Sequence, residues 1–374
     1  MHSIHQNTIR GEWLALLWQN DQKIARLDPL HADEPLRNLP AFNTEGDRES
    51  VLALLRQLLP SPAAARALSV EEACAAMRDL GVLLGSLKRH GVEPEEAEPA
   101  LRVVLPLLGT ITNYPPRDTL LHYTIWNPEG ERMRTYTGTE DEKNLIRSVQ
   151  MSIPPLEAAL HHLLLLLDPA RGKDFRALTK LVADNLEGLI AGVVWARRNV
   201  STEYFAREMR LYYDPIRLNG LTYLGPGAVE MPVFVFDHLL WSSDCTDDEY
   251  TAFKQGYVPY VRPVWRLAYE AYAGQPSLFA QLQGEMETGS RPQPAVNLRE
   301  VVSIITRLKS FRMPHRRLAD EAYAHGNGGE RNQGSGGYAP DILMHIIQLM
   351  TARTDAFVRA LQQVEQPADG PEAK

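Results

Sequence analysis

The sequence has 374 residues, 44% hydrophobic and 23% charged, values typical of a large globular protein that can bury a pocket. A formal net charge of −8 offers no general counter-charge to phosphate backbones, so nucleic acid is not an expected partner. Mean hydropathy is −0.28 and every apolar run is short, so no membrane span and no membrane partner are expected.

Helical periodicity dominates the sequence, and no sustained alternation of apolar and polar residues competes with it. The pattern predicts an all-α protein with long helices, within a few residues, at 49–59, 69–90, 94–110, 139–168, 171–199, 228–242, 246–273, 296–325 and 339–364. Capping-box patterns open three of them, at Ser69/Glu72, Thr139/Glu142 and Thr246/Glu249. Pro154-Pro155 interrupts the fourth pattern and predicts either two helices or one sharply kinked helix.

The domain organisation predicted from these patterns is simple, because no break is long enough to be a linker between two domains. Residues 1–44 contain few apolar positions and are expected to form an N-terminal arm. Residues 45–365 are expected to form one helical domain, and residues 366–374 a disordered tail.

Cysteine usage bears on both location and metal binding. Two cysteines, Cys74 and Cys245, are too few for a disulfide framework or a zinc cluster. Since the first residues also lack a signal-peptide pattern, a cytoplasmic location is expected. Histidine is more abundant, with 11 copies, and only position along the chain can single one out.

His315 is the histidine that its position singles out. It shares one helical face with apolar residues between 298 and 322, so its ring should point inward. One interpretation is a core histidine that is hydrogen-bonded to a carbonyl group. The other is an iron ligand for a flat apolar cofactor with carboxylates, because Pro314 kinks the helix and Arg312 supplies a cation one turn earlier.

A glycine-rich segment, 326–338, lies between that helix and the next one. It lacks the Lys-Ser/Thr pair of a phosphate-binding loop and the preceding strand of a dinucleotide fold. It is either a flexible connection or a closing loop whose Ser335 hydroxyl and backbone N–H groups reach a bound ligand.

Two other segments carry candidate polar residues. Asp237 lies among hydrophobic neighbours, so a buried carboxylate there should pair with a cation. The adjacent His238 is expected to be a structural hydrogen-bonding residue rather than a ligand. Arg210 follows Phe205 by five residues in an aromatic segment and is either stacked at the surface or a clamp for a carboxylate.

Several stretches resemble the haem-dependent indoleamine and tryptophan 2,3-dioxygenase superfamily and, within it, the monodechloroaminopyrrolnitrin synthase family. The resemblance is carried by Arg312-Met-Pro-His315, by Gly334-Ser-Gly-Gly337 and by the stretches 75–91, 115–122, 126–128, 223–232 and 334–340. It spans roughly residues 45–365 and implies a large helical haem-binding fold of the dioxygenase type, with haem b as the cofactor.

The resemblance assigns residues to the cofactor. It implies that His315 is the axial ligand on the proximal side of the haem iron and acts in catalysis. Arg312 then pairs with a haem propionate and with Asp237, and Gly227 and Ala228 belong to the cofactor-binding wall.

The resemblance also assigns residues to the substrate, namely Tyr323, Ser335, Gly334, Gly336, Arg210, Phe205 and Ser152. Tyr323 and Ser335 would hold the amino-acid end and act in catalysis, and the two glycines would shape their loop. Arg210 would receive the substrate carboxylate beside the aromatic wall of Phe205, and Ser152 would lie on the distal side of the iron.

The activity implied is an oxidative rearrangement of tryptophan or 7-chlorotryptophan, with ring opening and decarboxylation to an aminophenylpyrrole, as in antibiotic biosynthesis of the pyrrolnitrin type. Dioxygen or hydrogen peroxide is the expected oxidant, with room for an external electron donor. Two alternatives stay open: a haem mono- or dioxygenase of tryptophan or another aromatic amino acid, and a non-catalytic haem-binding sensor.

Overall fold

The computed structural model describes residues 12–168, 175–288, 294–325 and 341–365, which are almost entirely helical. The α-helices are α1 (Glu12–Arg26), α2 (Leu39–Glu45), α3 (Arg48–Leu58), α4 (Pro62–Arg66), α5 (Val70–Arg89), α6 (Pro94–Ala97), α7 (Leu101–Thr112), α8 (Leu120–Tyr123), α9 (Glu140–Leu167), α10 (Phe175–Asn199), α11 (Thr202–Arg207), α12 (Val233–Asp237), α13 (Asp248–Tyr257), α14 (Pro263–Tyr272), α15 (Leu278–Thr288), α16 (Pro294–His325) and α17 (Asp341–Glu365). The all-α class predicted from the sequence is confirmed.

Shorter elements connect these helices. The 3-10 helices are Pro35–Asn38, Gly130–Arg132, Met209–Tyr213, Ala228–Glu230 and Val258–Tyr260, and a π-helix covers His238–Ser242. Two strands, β1 (Ile216–Leu218) and β2 (Leu221–Tyr223), form an antiparallel hairpin. Within the described ranges, no helix combines the length and the apolar character needed to cross a bilayer.

Prolines explain why three predicted helices are divided. The pattern at 94–110 gives two helices, and the patterns at 228–242 and 246–273 each give three short elements. Helix α15 was not predicted at all. Pro99 lies between α6 and α7. Pro232 is the N-cap of α12, and Pro263 occupies the first position of α14. Proline suits these positions because the first N–H groups of a helix have no intrahelical acceptor.

Of the two alternatives predicted at Pro154-Pro155, two separate helices is wrong, since α9 is one helix from Glu140 to Leu167. A proline inside a helix removes one backbone hydrogen bond, which tertiary packing can offset. Here α10 packs along α9, and Gly188 leaves room for the ring of Pro155, because a Cβ at Gly188 would lie 2.7 Å from it.

The predicted capping box at Ser69/Glu72 is confirmed. The Ser69 hydroxyl accepts a hydrogen bond from the Glu72 amide at 3.3 Å, and the Glu72 carboxylate accepts one from the Ser69 amide at 2.8 Å. Each side chain thereby pairs an N–H group that the first turn leaves open.

The other two predicted capping boxes are wrong. Thr139 does cap α9, at 3.4 Å from the Glu142 amide, but the Glu142 carboxylate turns into the core. At α13 the N-cap is Asp247 and not Thr246, and Asp247 accepts a hydrogen bond from the Tyr250 amide at 2.7 Å. An aspartate next to a threonine competes for the same capping position.

Residues 12–44, the described part of the predicted N-terminal arm, contribute to the core. Helix α1 buries Leu14, Asp21 and Ile24. The Asp21 carboxylate accepts hydrogen bonds from both terminal nitrogens of Arg262, at 2.8 and 2.7 Å, while the Nε of Arg262 donates to Glu157 at 2.5 Å. This buried ion-pair network joins α1, α9 and the N-terminus of α14. The predicted tail, 366–374, lies outside the described residues.

His122 in α8 is a buried histidine, so the pH dependence of protein stability can test its environment. The side chain is fully buried, its Nδ1 accepts a hydrogen bond from the Thr119 amide at 3.0 Å, and the rings of Trp126 and Tyr114 meet it edge-on. Burial, reinforced by the positive charge of Arg78, lowers the pKa of His122 to about 3. The ring is therefore neutral in the folded protein throughout the mildly acidic range.

We expect the free energy of unfolding to fall as the pH decreases from 6.5 to 4.5. Below about 6.5 the unfolded chain protonates His122 and the folded chain does not, so this residue alone contributes up to about 1.4 kcal/mol per pH unit. Urea unfolding of the His122→Asn variant across this range should show a smaller slope by that amount. An unchanged slope would mean that His122 titrates normally in the folded state.

Candidate active site

A large cavity of about 310 Å³ lies among α8 to α13, α16 and α17, within the size range of small-molecule sites. Apolar side chains from both large core clusters form most of its wall. The polar residues that line it are Tyr123, Thr124, Ser148, Ser152, Thr202, Arg210, Tyr213, Asp237, Tyr250, Arg312 and His315. Seven residues predicted from the sequence line this one cavity, namely Ser152, Phe205, Arg210, Ala228, Asp237, Arg312 and His315.

His315 lies on the cavity side of α16, which continues without a break through Pro314. Its ring stacks on Phe311, with 5.6 Å between the ring centroids, and has no hydrogen-bond partner among the described residues. The carbonyl partner required by the core-histidine interpretation is therefore not present among the described residues. Burial, with a contribution from the nearby Arg312, lowers the pKa of His315 to about 4, so at neutral pH the ring is uncharged and able to bind a metal.

Arg312, one turn before His315, is the cation expected for Asp237. The two side chains form an ion pair through the Nη2 and Oδ2 atoms, and both are buried. Asp237 also accepts hydrogen bonds from the Tyr250 hydroxyl at 2.7 Å and from Trp241 Nε1 at 3.0 Å. The Nε–H group of Arg312 has no partner among the described residues, which leaves one buried cationic donor for an anionic group.

A π-helix directly after Asp237 holds this carboxylate in place. His238, its first residue, bonds through Nε2 to the Tyr269 carbonyl at 3.1 Å, which confirms the predicted structural role. Lys254 is buried and donates to the Ser242 carbonyl at 2.8 Å. A π-helical turn interrupts the regular α-helical hydrogen bonds and is common at functional sites. Here the buried Lys254 donates to a carbonyl of that turn, which the helix itself leaves without a donor.

Arg210 lies in the 3-10 helix Met209–Tyr213 and is 7% exposed. The interpretation as a stacked surface residue is therefore wrong, because the guanidinium lines the cavity together with Phe205. A cation in so apolar a cavity favours an anionic ligand group such as a carboxylate.

Ser152 lines the cavity from α9, but its hydroxyl donates to the Ser148 carbonyl of its own helix at 2.8 Å. Gly192 of α10 faces it, and a Cβ at that position would lie 1.9 Å from the Ser152 Oγ atom. Glycine is thus required where the two helices meet. Toward the cavity the Ser152 oxygen can act as an acceptor while its proton stays in the helix.

The remaining predicted residues are Gly227, which borders the cavity, and four residues whose side chains or positions are not described. Gly227 is buried between Pro226 and Ala228, both of which line the cavity. Tyr323 belongs to the end of α16, but its side chain is not described, and Gly334, Ser335 and Gly336 lie outside the described residues. The segment that holds them connects α16 to α17, two helices that both line the cavity.

The sequence analysis missed three cavity residues, Tyr123, Tyr213 and Tyr250. The Tyr250 hydroxyl donates to Asp237 at 2.7 Å, and the Tyr123 hydroxyl donates to Glu142 at 2.6 Å. The sequence around such a tyrosine does not reveal this hydrogen bond, because the partner residue is distant in sequence.

The family model described as monodechloroaminopyrrolnitrin synthase PrnB matches residues 43–366. This range includes every residue that lines the cavity.

Proposed function

The chain belongs to the monodechloroaminopyrrolnitrin synthase family, and on this basis we propose that its cavity is the active site of a haem-dependent enzyme of pyrrolnitrin-type biosynthesis. The substrate is tryptophan or 7-chlorotryptophan, and the product is an aminophenylpyrrole. The observation that carries the proposal is His315, an uncharged imidazole without a hydrogen-bond partner in the described chain, which lines an apolar cavity one turn from a buried arginine.

The residues present fit haem b. The His315 imidazole would bind the iron, the apolar walls suit the macrocycle, and the unpartnered Nε–H of Arg312 suits a propionate. Gly227 and Ala228 would border the ring. When bound, haem would supply the activation of dioxygen or hydrogen peroxide, which the side chains cannot provide.

The chain's own contribution is to bind, orient and enclose the substrate. Arg210 would hold the carboxylate, and Phe205 with its apolar neighbours would contact the indole ring. Tyr323 and Ser335 are proposed to bind the amino-acid end, with Gly334 and Gly336 shaping their loop. A fixed orientation in a cavity that excludes water favours one reaction of the indole C2–C3 bond over others.

We expect Arg210→Leu to weaken tryptophan binding by roughly tenfold to a hundredfold, the range for a lost charge-assisted hydrogen bond. Spectral titration of the haem-loaded protein with tryptophan and 7-chlorotryptophan measures this effect. Arg207→Leu is the matched control, because Arg207 pairs with Glu203 on the exposed face of α11 and does not line the cavity.

Product mass then distinguishes the proposal from its alternatives. Loss of carbon dioxide with formation of a pyrrole supports the rearrangement. Addition of one or two oxygen atoms would instead identify a mono- or dioxygenase. An unchanged spectrum and no product would identify a haem-binding sensor.

A further inference from the structure

Glu230 is a buried acid whose surroundings differ from those of other acids in the core. It is 3% exposed, and its Oε2 atom accepts one hydrogen bond, from the Leu120 amide at 2.6 Å. Its Oε1 atom has no hydrogen-bond partner in the described part of the chain. By contrast, Asp237 and Glu157 each contact an arginine, and Glu142 accepts five hydrogen bonds. Because a charged carboxylate is costly to bury without such partners, Glu230 is suited to the uncharged form.

Two charged neighbours, Arg117 and Asp118, do not provide the partner that Glu230 lacks. Both are buried, and they lie against each other, with the Nε atom of Arg117 3.4 Å from an Asp118 carboxylate oxygen. Their charges act on Glu230 in opposite directions, and burial raises the pKa of Glu230 well above its usual range. Since Oε2 accepts the hydrogen bond from Leu120, the acid proton lies on Oε1, where no acceptor is present among the described residues.

A second, small cavity lies beside Glu230. Its volume is about 10 Å³, the order of size that a single water molecule needs, and every residue that lines it is buried. Three of its polar residues are already paired, since Glu157 accepts hydrogen bonds from Arg262 at 2.5 Å and from the Trp265 indole at 3.0 Å. The polar side chains that remain for a water molecule are those of Glu230 and Tyr260.

Tyr260 also carries a proton that needs an acceptor. Its hydroxyl oxygen accepts a hydrogen bond from the Leu224 amide at 2.9 Å, but the hydroxyl donates to no group of the described chain. Buried O–H groups are almost always hydrogen-bonded. Two O–H groups, those of Glu230 and Tyr260, therefore lack an acceptor at the same small cavity, and the two lone pairs of one water oxygen match them.

Glu230 also connects this small cavity with the wall of the large one. It ends the 3-10 helix Ala228–Glu230, in which Ala228 and Val229 line the large cavity. Leu120 begins α8 and lines both cavities. The hydrogen bond between Glu230 and the Leu120 amide thus joins two segments of the large cavity's wall that are 110 residues apart in the sequence.

We propose that the small cavity binds one water molecule between the side chains of Glu230 and Tyr260, and that Glu230 is a positioning residue for the wall of the large cavity. Glu230 donates to the water and accepts from Leu120, so it fixes the 3-10 helix relative to α8. The positioning role rests on the proposed function, which places the cofactor against Ala228. The water site does not depend on it.

A high-resolution crystal structure of the full chain tests the water site. We expect one ordered water molecule within hydrogen-bonding distance of both Glu230 Oε1 and the Tyr260 hydroxyl. In Glu230→Leu we expect no water there, because leucine has no polar atom to bind it. A dry cavity in the unchanged protein overturns the water site.

Infrared spectroscopy tests the proton of Glu230. The difference spectrum between the unchanged protein and Glu230→Gln at neutral pH should contain the C=O band of a protonated carboxyl group. Absence of this band would show that Glu230 is ionised and has no proton to donate to the water.

Haem affinity, measured by absorbance titration, tests the positioning role. Glu230→Gln keeps an oxygen for the Leu120 amide and an N–H group for the water, so its affinity should stay within about twofold of that of the unchanged protein. Glu230→Leu keeps neither and should bind haem roughly tenfold more weakly. Tyr260→Phe should lose less than Glu230→Leu. Tyr269→Phe is its control, because Tyr269 is buried in α14 and lines neither cavity.

The outcomes separate this inference from the proposed function. Equal losses in Glu230→Gln and Glu230→Leu, or no loss in Glu230→Leu, overturn the positioning role, while the proposed function stands because the unchanged protein binds haem. If Glu230→Leu does not fold, a larger loss in Glu230→Gln than in Tyr260→Phe overturns the positioning role instead. If the unchanged protein binds no haem, the proposed function is overturned together with the positioning role, and the crystal structure still decides the water site.

Discussion

The His315→Ala variant is expected to lose the Soret absorbance of bound haem and all turnover. Among the described residues, His315 is the histidine that lines the cavity, and its uncharged ring makes no hydrogen bond that would compete with a metal. Since loss of a residue that only supports a metal ligand costs tenfold to a hundredfold in metal affinity, loss of the ligand itself should cost more than roughly a hundredfold. Absorbance spectra at equimolar haem measure the loss.

His345→Ala is the matched control for this experiment. His345 also lies on a long helix, α17, but it bonds to Asp247 at 2.9 Å and does not line the cavity. It should retain full haem absorbance, and urea unfolding without haem should show that both variants are folded. Full haem retention by His315→Ala would remove the basis for an axial histidine at this position.

The sequence predicted the helices well where one face is apolar over many turns. Helices α5, α10 and α16 lie close to their predicted ranges, because burial of such a face is the main source of helix stability in a folded protein. The sequence did not reveal α1, because one of the residues that this helix buries is the charged Asp21. A buried aspartate is favourable only beside Arg262, and that partner is 241 residues away.

The same reasoning explains what the sequence revealed of the site. Arg312 and His315 could be predicted to lie together, because residues three positions apart on a helix share a face. The need of Asp237 for a cation could be predicted from its apolar neighbours, whereas its partner Arg312 was indicated only by the family resemblance and is observed in the fold. Glu142 was misread, because three residues after a threonine it matched a helix cap, although its carboxylate binds Tyr123.

Asp237→Ala is expected to destabilise the protein by about 3–5 kcal/mol, the cost of removing one partner from a buried ion pair. The change leaves the Arg312 guanidinium buried without its counter-charge. It also removes the acceptor for the Tyr250 hydroxyl and for the Trp241 indole, which are both buried. Urea unfolding of the haem-free protein at neutral pH measures the loss.

Asp184→Ala tests whether burial is the cause. Asp184 pairs with Lys180 at 2.6 Å on α10, but their side chains are 52% and 72% exposed, so its loss should cost no more than about 1 kcal/mol. Adding Arg312→Met to Asp237→Ala should restore much of the stability, since an apolar side chain needs no counter-charge. A loss of equal size in the Asp184 and Asp237 variants, or no recovery in the double variant, would show that the uncompensated charge of Arg312 is not what destabilises the fold. If the double variant recovers stability but binds haem weakly, the role of Arg312 is to bind the cofactor and the role of Asp237 is to hold Arg312 in place.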